Sequence, residues 1–255
     1  MKHGLTILLL AASCAMGTPA QWLAPAQHQT SATDRATVRL RPGRRLDSLD
    51  DFGRCNATNH GSVTISTNGW KFNGQGDYVD FGKQTLLEPG TNSFAVSIWA
   101  LNTNPVIASR GMAGKLVFGG IDRWGLYGAI VTNNFSGQLY DSSDPSGPVS
   151  LASGRPIGTN DWHHYMQIFT RTSHQIFYDG SLVATGIPPA SYDLVSTDAA
   201  VTAYFMIGAF WTADGSATTN AWQGYINSAT VWKGTNIPTG LAEVTNIYRL
   251  GSNPP

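Results

Sequence analysis

The sequence predicts an all-β fold: a two-sheet antiparallel β-sandwich with a short C-terminal helix. Three observations carry that expectation. Phe94-Ala95-Val96-Ser97-Ile98 alternates with a period of two, which places Phe94, Val96 and Ile98 on one face of a strand. Gln175 to Ala184 reads as two short β-prone runs joined through Asp179-Gly180, a pair suited to a type I′ turn. Glycine is plentiful at 28 residues, and Ser, Thr and Asn dominate the polar positions, a mixture that suits short strands joined by tight turns. The hydrophobic content of 42% is enough to fill a core.

Taken in order, residues 1–20 read as a secretory signal peptide. Lys2 and His3 give a short basic start, Leu5 to Met16 is nearly all apolar, and Thr18-Pro19-Ala20 closes the segment with small residues. The apolar run is too short to span a bilayer as a helix, and no later run is longer. A lipoprotein signal acylated at Cys14 ranks second, because Ala11 stands three residues before Cys14 where that motif usually has leucine. The expected location is therefore secreted, or displayed at the cell surface or in the periplasm. Once such a leader is removed, Cys55 stands alone, so no intrachain disulfide is expected.

Residues 21–45 carry Arg35, Arg39, Arg41, Arg44 and Arg45 without a long apolar period, and read as a flexible basic tether. Strand signals begin near Leu46 and recur at sandwich spacing up to residue 251. Trp124 to Val131 and Gln138 to Tyr140 are expected to form a hairpin through residues 132–137. Asp141 to Pro148 and Thr212 to Asn220 read as polar loops. Leu241, Val244, Ile247 and Tyr248 follow helical spacing. The expected core holds Phe72, Val79, Phe94, Val96, Ile98, Phe177, Ile207, Ile226 and Val231, with Trp99, Trp162 and Trp232 filling the space between two sheets of about six strands each.

Five blocks occur in register: Trp70 to Gly82, Ser93 to Leu101, Trp162 to Phe169, Gln175 to Gly186 and Trp222 to Gly234. With the opening Asp50 to Val63, the Tyr178-Asp179-Gly180 hairpin and the Gly224-Tyr225-Ile226-Asn227 block, residues 46–250 resemble the laminin-G-like, concanavalin A-like lectin/glucanase jelly-roll family. The resemblance implies a jelly roll used for binding or adhesion. It also implies one structural calcium ion, with Asp51 and Asn227 at the matching positions. Asn227 stands where the family usually has Asp, so the site would carry one negative charge fewer.

Composition excludes some functions. Charged residues are 13% of the chain and the net charge is zero, which argues against nucleic acid as a partner. Glucanases of this superfamily place paired carboxylates on one strand, but Glu88 and Glu243 are the only two glutamates, one in a turn and one in the C-terminal helix. Asp77 and Asp80 are three apart and would face opposite sides of a strand. His163-His164 cannot close one chelate from a strand for the same reason. The chain is therefore expected to be a non-catalytic binding module for glycan or another extracellular polymer. The alternative is a structural or adhesive component of an envelope, matrix or virion that makes protein contacts, with a glycoside hydrolase ranked below both. Glycan recognition needs aromatic rings flanked by hydrogen-bonding groups. The candidates are Trp124 with Tyr127, Tyr140 with Asp141, and Trp211 with Asp214. Tyr127 points to the face opposite Trp124 and Leu126, which makes it the better surface residue.

Overall fold

Among the described residues, seventeen strands follow from alternating apolar runs broken by glycine and polar turns: β1 (Val38–Leu40), β2 (Thr58–His60), β3 (Thr64–Ser66), β4 (Gly69–Asn73), β5 (Tyr78–Asp80), β6 (Phe94–Asn102), β7 (Arg110–Lys115), β8 (Val117–Phe118), β9 (Arg123–Gly128), β10 (Asn134–Tyr140), β11 (Val149–Pro156), β12 (Trp162–Phe169), β13 (His174–Tyr178), β14 (Ser181–Gly186), β15 (Met206–Ile207), β16 (Trp211–Thr212) and β17 (Gln223–Lys233). Among the described residues one α-helix, α1 (Leu241–Gly251), follows them. The computed structural model describes residues 35–36, 38–40, 55, 57–104, 110–115, 117–118, 123–128, 134–140, 149–188, 194, 205–209, 211–212 and 221–251. The leader, Cys14, the opening Asp50–Asp51 and the two polar loops lie outside those residues, apart from Thr212.

The strands build two antiparallel sheets. The first runs β14-β13-β12-β6-β17-β4-β3, with β1 also pairing to β17; the second runs β11-β10-β9-β7-β15-β5-β2. They hold eight and seven strands where about six each were expected, and β16 and β8 add a short parallel pair. One side of β17 is shared between two partners: Gln223–Ile226 pairs with β4 and Ala229–Val231 with β1. The segment read as a tether therefore contributes a strand. Val38 to Leu40 is the opening strand of the sandwich, Leu40 is fully buried, and the fold begins before residue 46.

Alternation decides what each sheet face meets. In β6, Phe94, Val96, Ile98 and Ala100 point between the sheets, where they join Trp70, Phe72, Val79, Trp124, Leu126, Ile207, Trp222 and Ile226 in the main core. Ala95 on the opposite face belongs to a second apolar cluster with Met166, Ile168, Phe177, Trp232, Val244 and Ile247. This cluster seals α1 against the outer face of the first sheet. All nine residues expected in the core are buried, but Phe177 lies under the helix instead of between the sheets. Trp99 and Trp232 are likewise buried on the outer side, Trp99 stacking on Tyr248 of α1 with centroids 5.5 Å apart. Trp162 departs further. Its register partner is the outward Leu101 of β6, and it is only half-buried.

Two local devices fix the ends. The β13–β14 turn has Asp179 at φ 47° and Gly180 at φ 74°, the left-handed pair that a type I′ turn demands. At the start of α1, Glu243 accepts from the Thr239 amide at 2.8 Å and pairs with Arg35. Burial pushes that carboxyl up, but the Thr239 amide and the Arg35 guanidinium outweigh it and hold it below the usual range.

Candidate functional site

The second sheet presents Tyr127 on its outer face. In β9, Trp124 and Leu126 alternate inward and are fully buried, which leaves Tyr127 pointing out. Register pairs Tyr127 with Ser136 of β10, and Gln138 of β10 with Ser150 of β11. The Tyr127 hydroxyl spans β10 to meet Ser150 Oγ at 2.6 Å. Ser136 and Gln138 occupy the intervening outward positions, almost shielded from water. One half-buried ring is thus bordered by two hydroxyls and an amide, groups that can both donate and accept hydrogen bonds.

Trp124 does not belong to this surface. It packs against Phe94, with centroids 4.9 Å apart, and Phe205, at 5.6 Å, in the main core. Its expected role in binding is corrected to core packing, because the inward face of β9 has no access to solvent. Tyr140 ends β10 and Trp211 opens β16, where it pairs with Val117, but the side chains of both lie outside the described residues. Asp141 and Asp214 lie outside them altogether, as does Asp51.

Asn227 is half-buried at a β-bulge. Ile226 pairs with Ala100 and Ser228 with Trp99, so Asn227 has no cross-strand partner on β6. Its amide oxygen is a ligand type suited to a hard cation. Among the described residues no group of three or more His, Cys, Asp or Glu is arranged to hold a metal ion.

The adjacent histidines serve separate structural roles. His163 pairs with the inward Ala100 and His164 with the outward Trp99, so the rings leave β12 on opposite faces. Asp179 ties the β13–β14 turn to β12 by meeting His163 Nδ1 at 2.8 Å and accepting from the His164 amide at 2.9 Å. His164 itself sits beneath α1, with Nε2 2.7 Å from Ser97 Oγ. Burial drives its pKa down to about 4 against the opposing charge of Asp179.

A second polar group crosses the sandwich. Gln167 Nε2 donates to the Gln138 carbonyl at 3.1 Å and meets His174 Nε2 at 2.9 Å. An amide nitrogen can only donate, so His174 accepts through Nε2 and carries its proton on Nδ1. Burial lowers the pKa of His174 to about 4, which keeps it neutral. Gly137 makes room for this bridge: a Cβ there would lie 2.2 Å from Ile176 Cδ1 and 3.0 Å from His174 Nε2. Sequence pattern gave no warning of a Gln–His bridge inside a strand-rich core.

Several carboxylates are engaged by the chain itself. Asp77 is buried and accepts from the Ser62 amide at 2.6 Å and the Asn73 amide at 2.7 Å. Asp80 accepts from the Gly82 amide at 2.8 Å. These are uses in turns, each carboxylate held by its own backbone amides.

A profile of the Concanavalin A-like lectin/glucanases superfamily matches residues 73–237. Among solved structures, domain 4 of an extracellular GH43 arabinanase from Geobacillus stearothermophilus, in complex with arabinotriose, is similar at TM-score 0.59 and 14% identity, covering 84% of this chain and 98% of that one. The botulinum neurotoxin serotype D/C binding domain aligns at TM-score 0.61 and 12% identity, over 86% of this chain and 53% of that one. Trypanosoma rangeli sialidase in complex with sialic acid aligns at TM-score 0.56 and 14% identity, over 84% of this chain. The alignment spans only 32% of the sialidase chain. At these identities the likeness shows the fold. No curated protein matches the sequence.

Proposed function

The chain belongs to the Concanavalin A-like lectin/glucanases superfamily, and from that membership we propose that it is a secreted or surface-displayed, non-catalytic module that binds glycan. The observation that carries the reading is the outward Tyr127, its hydroxyl 2.6 Å from Ser150 Oγ, beside the amide of Gln138. A sugar ring laid on the phenol buries its C–H face, while the Tyr127 and Ser150 hydroxyls meet its own hydroxyls. Tyr140, Asp141, Trp211 and Asp214 are assigned to the same binding role on sequence grounds. Two of the similar structures hold saccharides, arabinotriose and sialic acid, which supports a glycan as the ligand class.

Export through residues 1–20 belongs to the same proposal. Among the described residues no helix is long and apolar enough to cross a membrane. A calcium ion held by Asp51 and Asn227 would join the opening segment to β17 and act on stability alone. It would raise the melting midpoint by mass action, so identical melts in millimolar calcium and in chelator would remove it.

Retention on immobilised polysaccharides tests the binding role. The full chain is expected to be retarded on at least one neutral glycan, and Tyr127→Ala to elute early there with its fold intact. Retention on none would favour the protein-contact role of an envelope, matrix or virion component.

A further inference from the structure

The outer face of the first sheet carries an aromatic row that the helix leaves open. Cross-strand register places Trp162 of β12 beside Leu101 of β6, Leu101 beside Tyr225 of β17, and Tyr225 beside Lys71 of β4. These four consecutive partners point away from the main core, since their chain neighbours His163, Ala100, Ile226 and Phe72 point inward. The next outward row is closed: Trp99 is capped by Tyr248, and Gly251 lies against its indole. None of Trp162, Leu101 or Tyr225 belongs to the apolar cluster beneath α1, and all three are half-buried.

The chemistry of the row is specific. The Trp162 and Tyr225 ring centroids are 6.4 Å apart with planes inclined by 48°, so the pair forms a shallow, angled trough instead of a stacked plug. Lys71 is exposed, and its Nζ sits 5.8 Å from the Tyr225 centroid, holding a positive charge at one end of the trough. One row beyond, Gln223 pairs with Asn73, and Asn104 Nδ2 donates to Gln223 Oε1 at 2.8 Å. That bond fixes the Gln223 side chain, and the three amides line the trough with donors and acceptors. Of the carboxylates nearest in sequence, Asp77 is buried and held by two backbone amides.

We propose that Trp162, Leu101, Tyr225 and Lys71 form a second saccharide site, on the sheet opposite Tyr127, that takes an acidic glycan whose sugar rings carry carboxylates. The trough receives the C–H faces of the sugar, Lys71 forms a charge-assisted hydrogen bond to the carboxylate, and the amide row meets the hydroxyls. The inference rests on the glycan-binding reading but not on the Tyr127 surface, and this separates the two experimentally.

The test uses the full chain in fluorescence titrations with polygalacturonate and alginate, and with methyl-esterified polygalacturonate as the uncharged counterpart. Saturable binding to at least one carboxylated polymer is expected, weakened about tenfold by esterification and, through the loss of about 60 Å² of apolar contact, about tenfold by Trp162→Ala or Tyr225→Ala. Trp162→Phe keeps a ring and should restore binding to within about threefold, and Lys71→Gln should flatten the salt dependence. Carboxylated polymers that fail to bind, or bind Trp162→Ala and Tyr225→Ala as well as the unaltered chain, overturn the second site. If neutral glycans still bind through Tyr127, only the second site falls; if no polymer of either kind binds, both readings fall.

Discussion

Acid should unfold this protein through two buried histidines before its carboxylates titrate. His164 and His174 are fully buried and neutral, each with its pKa driven down to about 4 by burial. In the unfolded chain a histidine titrates near the usual value of about 6.5. Between those values the unfolded chain binds the extra proton, so stability falls as pH falls. The contribution is complete above pH ~6.5 and is lost by pH ~4. A gap of about 2.5 pH units at about 1.4 kcal/mol each makes this about 3 kcal/mol per histidine. The geometry gives the reason: a proton on His174 Nε2 would face the Gln167 amino group, donor against donor, inside the sandwich. Denaturant unfolding at steps from pH 7 to pH 4 measures it. The unaltered chain should lose several kcal/mol over that range, and His174→Asn with His164→Asn should remove most of the slope while starting from a lower stability. A flat profile between pH 7 and pH 4, or an unchanged slope in the double variant, would refute the account of the two rings.

Trp124→Ala should cost about 3–5 kcal/mol as a core cavity, whereas Tyr127→Ala should cost less than about 1 kcal/mol; equal costs in denaturant titrations would mean that the phasing of β9 is wrong. Gly180→Ala should lower stability by about 1–3 kcal/mol, because the left-handed φ is strained for alanine and its Cβ would meet Tyr248 Cβ at 2.9 Å; a melting point matching that of the unaltered chain would count against it. Export through residues 1–20 predicts a mature chain beginning near Gln21 by intact-mass measurement, and a diacylglycerol on Cys14 would replace it with lipid anchoring.

The sandwich was legible wherever a local rule acts alone. The alternation in β6, the Asp179-Gly180 turn and the helical spacing of Val244 and Ile247 each depend on residues close in sequence, and each appears as expected. Which face meets which layer was not legible. Phe177, Trp99 and Trp232 are apolar in the sequence whether they meet the other sheet or the helix, and only the register and the docking of α1 separate the two. Trp162 misled for the same reason: a large ring in a strand reads as core, yet its register partner, Leu101, points outward beyond the helix. Val38 to Leu40 was hidden among arginines because a three-residue strand carries too little periodicity to stand out. The Gln167–His174 bridge had no sequence signal at all, since it requires Gly137 on the opposing sheet.

The proposed role is to hold glycan without cleaving it. Proton NMR of a retained neutral polysaccharide, recorded with stoichiometric protein over several hours, reads both binding and cleavage in one spectrum. Broadened ligand resonances that sharpen with Tyr127→Ala are expected, together with an unchanged set of anomeric signals. New reducing-end anomeric signals would make the protein a hydrolase, and resonances that stay sharp across every glycan tried would deny it a saccharide ligand.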